Sequence, residues 1–290
     1  MYLEHFALRD FPFAITPDTS YFMNRAGYQD ALNVLLVALR SGEGFVKITG
    51  EVGIGKTLLC RKLLNTLGAD FVRAYIHNPY LEPASLLLAI ADELSVTYEE
   101  GISQHVLIKR IAKALLDYYR DKKQVVLCLD EVQAMPVETL ETLRLLTNLE
   151  TERRKLLQVV LFGQPELDAL LKQPSVRQLR QRITFSYRLL PLNRVALLAY
   201  VRHRLAIAGY RGKDLFTRGA LHLLYKGSEG IPRLINIICH KAMMLAYGKG
   251  DLIVTRAHMR VAVEDTVEAQ RIERSWVTTL FPTFTRWLYG

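Results

Sequence analysis

Residues 50–57 read Gly50-Glu51-Val52-Gly53-Ile54-Gly55-Lys56-Thr57. Every position of the phosphate-binding pattern G-x-x-x-x-G-K-[ST] is filled. The run before it, Phe45-Val46-Lys47-Ile48-Thr49, has the composition of a strand, and Leu58 to Leu67 that of a helix. Strand, loop and helix in that order are the setting the pattern requires. Glycines let the main chain fold tightly around a polyphosphate and aim its N–H groups at the oxygens. The helix N-terminus adds favourable potential for the same anion. Gly50 through Thr57, with Leu58, are therefore expected to hold the nucleotide. Lys56 reaches the outer phosphates, and the Thr57 hydroxyl holds Mg²⁺. A Gly-rich turn before a helix is the plain alternative, and the complete motif in its proper setting argues against it.

A second strand carries the acids. Gln124-Val125-Val126-Leu127-Cys128-Leu129 is followed by Asp130-Glu131. An unbroken apolar run suits a central parallel strand buried on both faces. Its C-terminal end is where open α/β sheets bind ligands. Asp130 is expected to coordinate Mg²⁺, and Glu131 to polarise the attacking water. Acidic residues also favour a helix start, but after a phosphate-binding loop the catalytic reading is the better one.

At 290 residues the chain is long for one compact core and suggests two domains. No run of about 18 or more apolar residues occurs, so no membrane span is expected. The opening stretch carries acids and lacks a basic region followed by an apolar one, unlike a secretory signal. Cys60, Cys128 and Cys239 lie far apart in apolar segments, which suits buried, reduced thiols in a cytoplasmic protein. The formal charge of +9 allows nucleic acid or an anionic membrane as partner. Bound nucleotide, acidic partners or plain solvation account for it equally well, and no Lys/Arg block with interleaved aromatics is visible.

Residues 1–27, with Phe6, Phe11, Phe13, Tyr21 and Phe22, read as an aromatic arm packed on the core of the first domain. That domain spans 28–192. It opens with a helix over 28–40 and continues with strands at Phe71–Ile76, Leu157–Phe162 and Ile183–Leu189. Helices are expected from Asn78-Pro79 to Leu94, with Tyr80 packed inward, from Ser103 to Arg120, from Val137 to Arg154, and from about Glu166 to a basic turn. Strands separated by helices mean a parallel sheet covered on both faces. After Pro191 only helical patterns remain, at 194–208, 217–226, 233–247 and 255–267. The second domain, 193–267, is therefore all-α. The tail, 268–290, holds Trp276, Phe281, Phe284 and Trp287 and reads as an arm filling a groove on its own domain.

This order of motifs resembles the AAA+ ATPases, in which a five-stranded parallel sheet of order 5-1-4-3-2 precedes a helical lid. The resemblance implies roles for four further residues. Gln164, at the tip of the Leu157–Phe162 strand, matches the sensor 1 position that contacts the γ-phosphate or the water. Arg177, Arg180 and Arg182 lie where these proteins carry an arginine finger that reaches a neighbouring subunit's nucleotide. Arg180 and Arg182 are the preferred candidates, and spacing does not choose between them. Gly230-Ile231-Pro232-Arg233 resembles the sensor 2 motif. A cation at a helix N-terminus opposes the dipole, which suggests that Arg233 serves a ligand.

More narrowly, the chain is similar to the ExeA/GspA family of secretion ATPases. The carrying stretches are Phe11-Pro12-Phe13 with Pro17-Asp18 and Tyr21-Phe22, then Thr49 through Thr57, Leu161-Phe162-Gly163-Gln164-Pro165-Glu166-Leu167, and Arg177-Gln178-Leu179-Arg180-Gln181-Arg182. Within the family, the size and the opening Met1-Tyr2-Leu3-Glu4-His5-Phe6 resemble members serving the mannose-sensitive haemagglutinin (MSHA) type IV pilus. Larger members add a membrane span and a peptidoglycan-binding domain, which are not expected here. The resemblance implies a cytoplasmic ATPase, peripheral at the inner membrane, using ATP/ADP and Mg²⁺. It would form a homo-oligomer, as a ring or only with nucleotide bound, and act with pilus or secretion assembly proteins. Two other readings share the site: a DNA-linked AAA+ protein such as a transposition regulator or helicase-loader relative, and a non-hydrolysing nucleotide-dependent scaffold. Nucleic acid is the less favoured partner.

Overall fold

The computed structural model describes residues 2–16, 18–23, 26–77, 80–151 and 154–266. Its contacts divide into two compact units. One holds the described residues of 24–52 and 56–190; the other holds those of 1–23, 53–55 and 191–290. A short helix α1 (Tyr2–His5) opens the chain and belongs to the second unit.

The first unit is an α/β sandwich. Helix α2 (Ala26–Arg40) leads to β1 (Phe45–Thr49), α3 (Lys56–Thr66), β2 (Phe71–Ile76), α4 (Pro83–Glu93), α5 (Gln104–Arg120) and β3 (Gln124–Leu129). Then come α6 (Val137–Leu146), β4 (Leu157–Gly163), α7 (Glu166–Leu170), α8 (Arg177–Arg182) and β5 (Ile183–Arg188). All strand pairs are parallel, in the order β2-β3-β4-β1-β5, the order expected from the sequence. Burial follows position in the sheet. Every residue of β4 is buried, as is β3 after its first residue, whereas the edge strand β5 alternates half-buried and exposed. Apolar runs on both faces require two helical layers, and one buried cluster joins β3 and β4 to Leu86, Leu87, Ile111, Leu115 and Leu140. Cys60, Cys128 and Cys239 are all buried and unpaired.

Three helices depart from expectation. Asn78 and Pro79 lie outside the described residues, and α4 starts only at Pro83, after Glu82, whose side chain makes no capping bond. Proline fits the first helical position because the N–H there has no helical partner. The chain before it is held out of the helix by a bond from Thr139 Oγ1 to the Leu81 carbonyl, 2.7 Å. Tyr80 is 73% exposed rather than packed inward. Helix α6 stops at Leu146, eight residues short of the expected Arg154. Thr147 turns its hydroxyl onto the Arg144 carbonyl at 2.9 Å, and Glu150 pairs with Lys155 in an antiparallel bridge closed by their ion pair. That tertiary turn overrides a helical leucine spacing that runs through Leu149. The basic turn proves to be helix α8.

The second unit contains α9 (Arg194–Ile207), α10 (Arg218–Ser228), α11 (Pro232–Gly248) and α12 (Arg256–Glu264). The side chains of Asn193 and Thr217 cap α9 and α10, each accepting from a backbone N–H of its helix's first turn. Gly230 has φ +77°, and a Cβ there would stand 2.0 Å from the Leu192 carbonyl oxygen, so only glycine fits this turn.

The N-terminal arm corrects an expectation. Its described residues up to 23 group with these helices. Tyr2, Phe6, Leu8 and Phe13 share one buried cluster with Leu197, Leu205, Ile235 and Met243. The physical reason is Arg204, buried in this unit. Its guanidinium donates to the Pro12 carbonyl, to the Ala14 carbonyl at 3.3 Å and to Tyr200 Oη at 3.0 Å, and lies 4.5 Å from the Tyr21 ring. An extended arm has main-chain carbonyls to satisfy once buried, and α9 supplies the donor.

Candidate active site

The parallel register sets the C-terminal ends of β1, β3 and β4 side by side. Thr49 pairs with Gly163, and Leu129 pairs with Leu161. Gly50 N–H donates to the Gly163 carbonyl at 3.2 Å. The loop after β1, Asp130-Glu131 after β3 and Gln164 after β4 therefore meet at one edge. This is the end of an open α/β sheet where ligands bind.

Lys56 begins α3 and is only 4% exposed. Its ammonium donates back to the carbonyls of Gly50 at 2.9 Å and Glu51 at 3.1 Å. Burial pushes its pKa down, while the charges of Glu131, Asp130, Glu51 and Glu166 oppose that shift. Thr57 Oγ1 donates to Asp130 Oδ2 at 2.5 Å. Asp130 is fully buried, and its other oxygen accepts from the Glu131 N–H at 3.0 Å. Burial pushes the Asp130 carboxyl up, against the lowering effect of the Thr57 and Glu131 hydrogen bonds. Among the described residues no group of three or more His, Cys, Asp or Glu could hold a metal. The paired Thr57 hydroxyl and Asp130 carboxylate instead suit a hard cation that takes one carboxylate and completes its shell from phosphates and water.

Glu131 stands in the left-handed region, φ 55° and ψ 36°, a backbone state that a non-glycine residue holds only when its surroundings impose it. Two amides fix its side chain. Gln164 Nε2 and Gln133 Nε2 donate to Oε2 at 3.0 and 2.6 Å, while Gln133 Oε1 accepts from the Gln164 N–H at 2.9 Å. Burial alone would raise the Glu131 carboxyl. The two amide bonds, with Lys56 and His77 nearby, outweigh it and hold the carboxyl below its ordinary value. Both amides engage the same oxygen, so no described residue donates to Oε1.

Of the sequence-derived candidates, the fold gathers Gly50, Glu51, Val52, Lys56, Thr57, Asp130, Glu131 and Gln164 within the α/β unit, with Leu58 in the first turn of α3. Gly53, Ile54 and Gly55 group with the helical unit instead. Within that unit the Arg233 N–H donates to the Gly53 carbonyl at 3.1 Å. Gly53 has φ +75°, and a Cβ there would stand 2.6 Å from Arg233 Cβ. Arg233 itself is exposed in the first turn of α11.

Arg180 and Arg182 are not brought to this edge. Ile183, just after them, pairs with Phe45 at the opposite end of β1 from the loop. Arg182 is occupied: Nη1 donates to the Arg144 carbonyl at 3.0 Å and to Thr147 Oγ1 at 3.2 Å. Arg177 and Arg180 are exposed, and neither makes a hydrogen bond or ion pair with a described residue.

Sequence reasoning missed two site residues. Gln133 follows Glu131 by two positions, on a 3₁₀ turn whose geometry no local pattern announces. His77 directly follows β2; its Nδ1 lies 3.9 Å from Asp130 Oδ2 and 3.0 Å from Tyr75 Oη. A polar residue at the C-terminal end of a strand was an available signal for it.

Residues 39–171 match the family model described as an AAA domain. Over 280 residues the chain is 43% identical to the general secretion pathway protein A of Aeromonas hydrophila. That alignment takes in 97% of this chain, which spans about half, 51%, of the relative's length. Among solved structures, the Aeropyrum pernix ORC2 protein aligns with TM-score 0.62 at 18% identity, over 86% of this chain and 72% of that one. The Cdc6p protein of Pyrobaculum aerophilum aligns with TM-score 0.62 at 19% identity, over 82% and 68%. No described helix is long and apolar enough to cross a membrane. The sheet order, the loop after β1 and these alignments agree: the chain carries the P-loop AAA fold.

Proposed function

We propose that this protein binds MgATP and hydrolyses it to ADP and phosphate, coupling the cycle to assembly of a type IV pilus of the MSHA kind or of a type II secretion apparatus. The observation that carries the enzymatic part is the fixed Glu131 carboxylate. Its pKa is held below the ordinary value, two amides orient it through one oxygen, and no described residue donates to the other. The similar ORC2 structure is described as ADPNP–ADP complexes, and the similar secretion protein supports the cellular part.

In this reading the loop N–H groups and Lys56 bind the phosphates; Lys56 exchanges its two carbonyl partners for phosphate oxygens. Thr57 and Asp130 would hold Mg²⁺, which supplies neutralising charge to the phosphates. Glu131 Oε1 accepts a hydrogen bond from water and aims its lone pair at the terminal phosphorus. Gln164 lies close enough to Glu131 to report on the γ-phosphate, and Arg233 transmits its loss to the helical unit. Arg180, exposed and unengaged, is the arginine that reaches a neighbouring subunit's phosphates. Arg182 braces α6 against α8. The active form is then a homo-oligomer, acting at the cytoplasmic face of the inner membrane. Lys56→Ala should abolish binding of a fluorescent ATP analogue, whereas Glu131→Gln should bind it and lose phosphate release. Full turnover by Glu131→Gln would remove Glu131 from the mechanism.

A further inference from the structure

We propose that the outer face of α5, with the turn that follows it, seats the protein on an anionic lipid surface. This goes beyond the nucleotide site and does not rest on it. One face of α5 sends Leu107, Ile111 and Leu115 into the core of the α/β unit. His105, Val106, Lys109, Lys113, Leu116 and Arg120 recur at helical spacing on the other face. Lys122 and Lys123, both exposed, extend that line beyond the helix end. Residues 104–123 carry six Lys/Arg against Asp117 and Asp121, so these 20 positions contribute +4 (six minus two) of the chain's +9.

The pairing of these charges singles the face out. Arg110 turns aside to Glu99, 3.4 Å away. Arg120 meets Asp117 at 3.1 Å yet remains 76% exposed. Lys109, Lys113, Lys122 and Lys123 have no side-chain hydrogen bond or ion pair with a described residue. Between the cations stand aliphatic side chains left in water: Val106 is 41% exposed and Leu116 39%. Ammonium groups on long stems with apolar residues between them match headgroup phosphates above and acyl chains below. A straight helix of this length presents about 25 Å of such a face. Nucleic acid would engage the lysines but gain nothing from Leu116, and the two arginines of α5 are each paired with a carboxylate, Glu99 and Asp117.

The test is flotation of the full chain with vesicles of phosphatidylglycerol and phosphatidylethanolamine, beside vesicles of phosphatidylcholine alone. The wild type should float with the anionic vesicles only, less so as salt rises. Each Lys near the surface contributes about fivefold in partition, so Lys109→Glu/Lys113→Glu/Lys123→Glu should lower it at least about a hundredfold. Leu116→Gln should lower it several-fold. Both variants should bind a fluorescent ATP analogue as the wild type does, which separates this surface from the nucleotide site. Wild-type flotation of the triple variant, or no preference for anionic vesicles, would overturn the proposal. So would binding of a labelled oligonucleotide that the triple variant loses and Leu116→Gln keeps, in the absence of vesicle binding.

Discussion

Replacing Gln133 by alanine tests whether Glu131 must be held to act. The wild-type amide donates to Glu131 Oε2 at 2.6 Å and accepts from the Gln164 N–H at 2.9 Å. Its loss removes one of two bonds to the carboxylate and loosens the residue that makes the other. A hydrogen bond to a charged group contributes about 1.5–3 kcal/mol. Glu131 is only half-buried, so water restores part of that, leaving about 1–2 kcal/mol. Taken as lost orientation in the transition state, this lowers kcat by about five- to thirtyfold. The pH profile should move as well. Burial raises the Glu131 carboxyl and the two amides lower it, so without Gln133 the carboxyl titrates at higher pH. The acid limb of the rate profile should shift upward. A depressed carboxylate contributes stability that is present above its unfolded pKa and lost as pH falls through the folded one, so the variant should also lose less stability on acidification. Phosphate release under saturating MgATP across the acid range reads both effects, with melting curves as a control for folding. An unchanged kcat and an unmoved acid limb would refute the argument that Gln133 positions Glu131.

Arg180→Ala should lose ATPase activity without losing stability, and mixing it with Lys56→Ala should restore part of the activity, because each supplies what the other lacks; no recovery from co-assembled subunits would exclude a shared site. Arg182→Ala should instead melt lower, by about 1–2 kcal/mol, through its lost bonds to the α6 terminus, which thermal denaturation measures. Arg204→Met strands the Pro12 carbonyl and takes one of two partners from the Ala14 carbonyl and Tyr200 Oη, which keep Asn236; a loss of about 2 kcal/mol and a fall in Tm of about 6 °C are expected, and a Tm within a degree or so of wild type would show that the arm is not held by this residue. Tyr80→Ala should leave the melting curve unchanged, because a side chain this exposed buries little on folding.

Much of the α/β unit was written locally. Phe45–Thr49 followed by a complete G-x-x-x-x-G-K-[ST] pattern, and Gln124–Leu129 followed by Asp130-Glu131, placed two strands, one helix and the residues at their ends. These elements were legible because the loop pattern comes at fixed sequence offsets between a strand and a helix, and because a doubly covered strand must be apolar throughout. The boundaries of α4 and α6 were not legible. Thr139 reaching Leu81, and Glu150 meeting Lys155, are tertiary events that override helical spacing.

What the sequence determined alone was the glycine-rich loop after β1, the acids at the end of β3 and the alternation that makes the sheet parallel. Tertiary structure decided which groups converge. It sent the aromatic arm to α9 and α11, because a buried guanidinium there satisfies the arm's carbonyls. It brought Gln133 onto Glu131 through a left-handed backbone, and it separated Arg182, braced against α6, from Arg180, left in solvent. It also gathered the lysines of α5 onto one face. Along the chain they alternate with core residues and form no block; only the 3.6-residue turn of the helix sorts them from Leu107, Ile111 and Leu115.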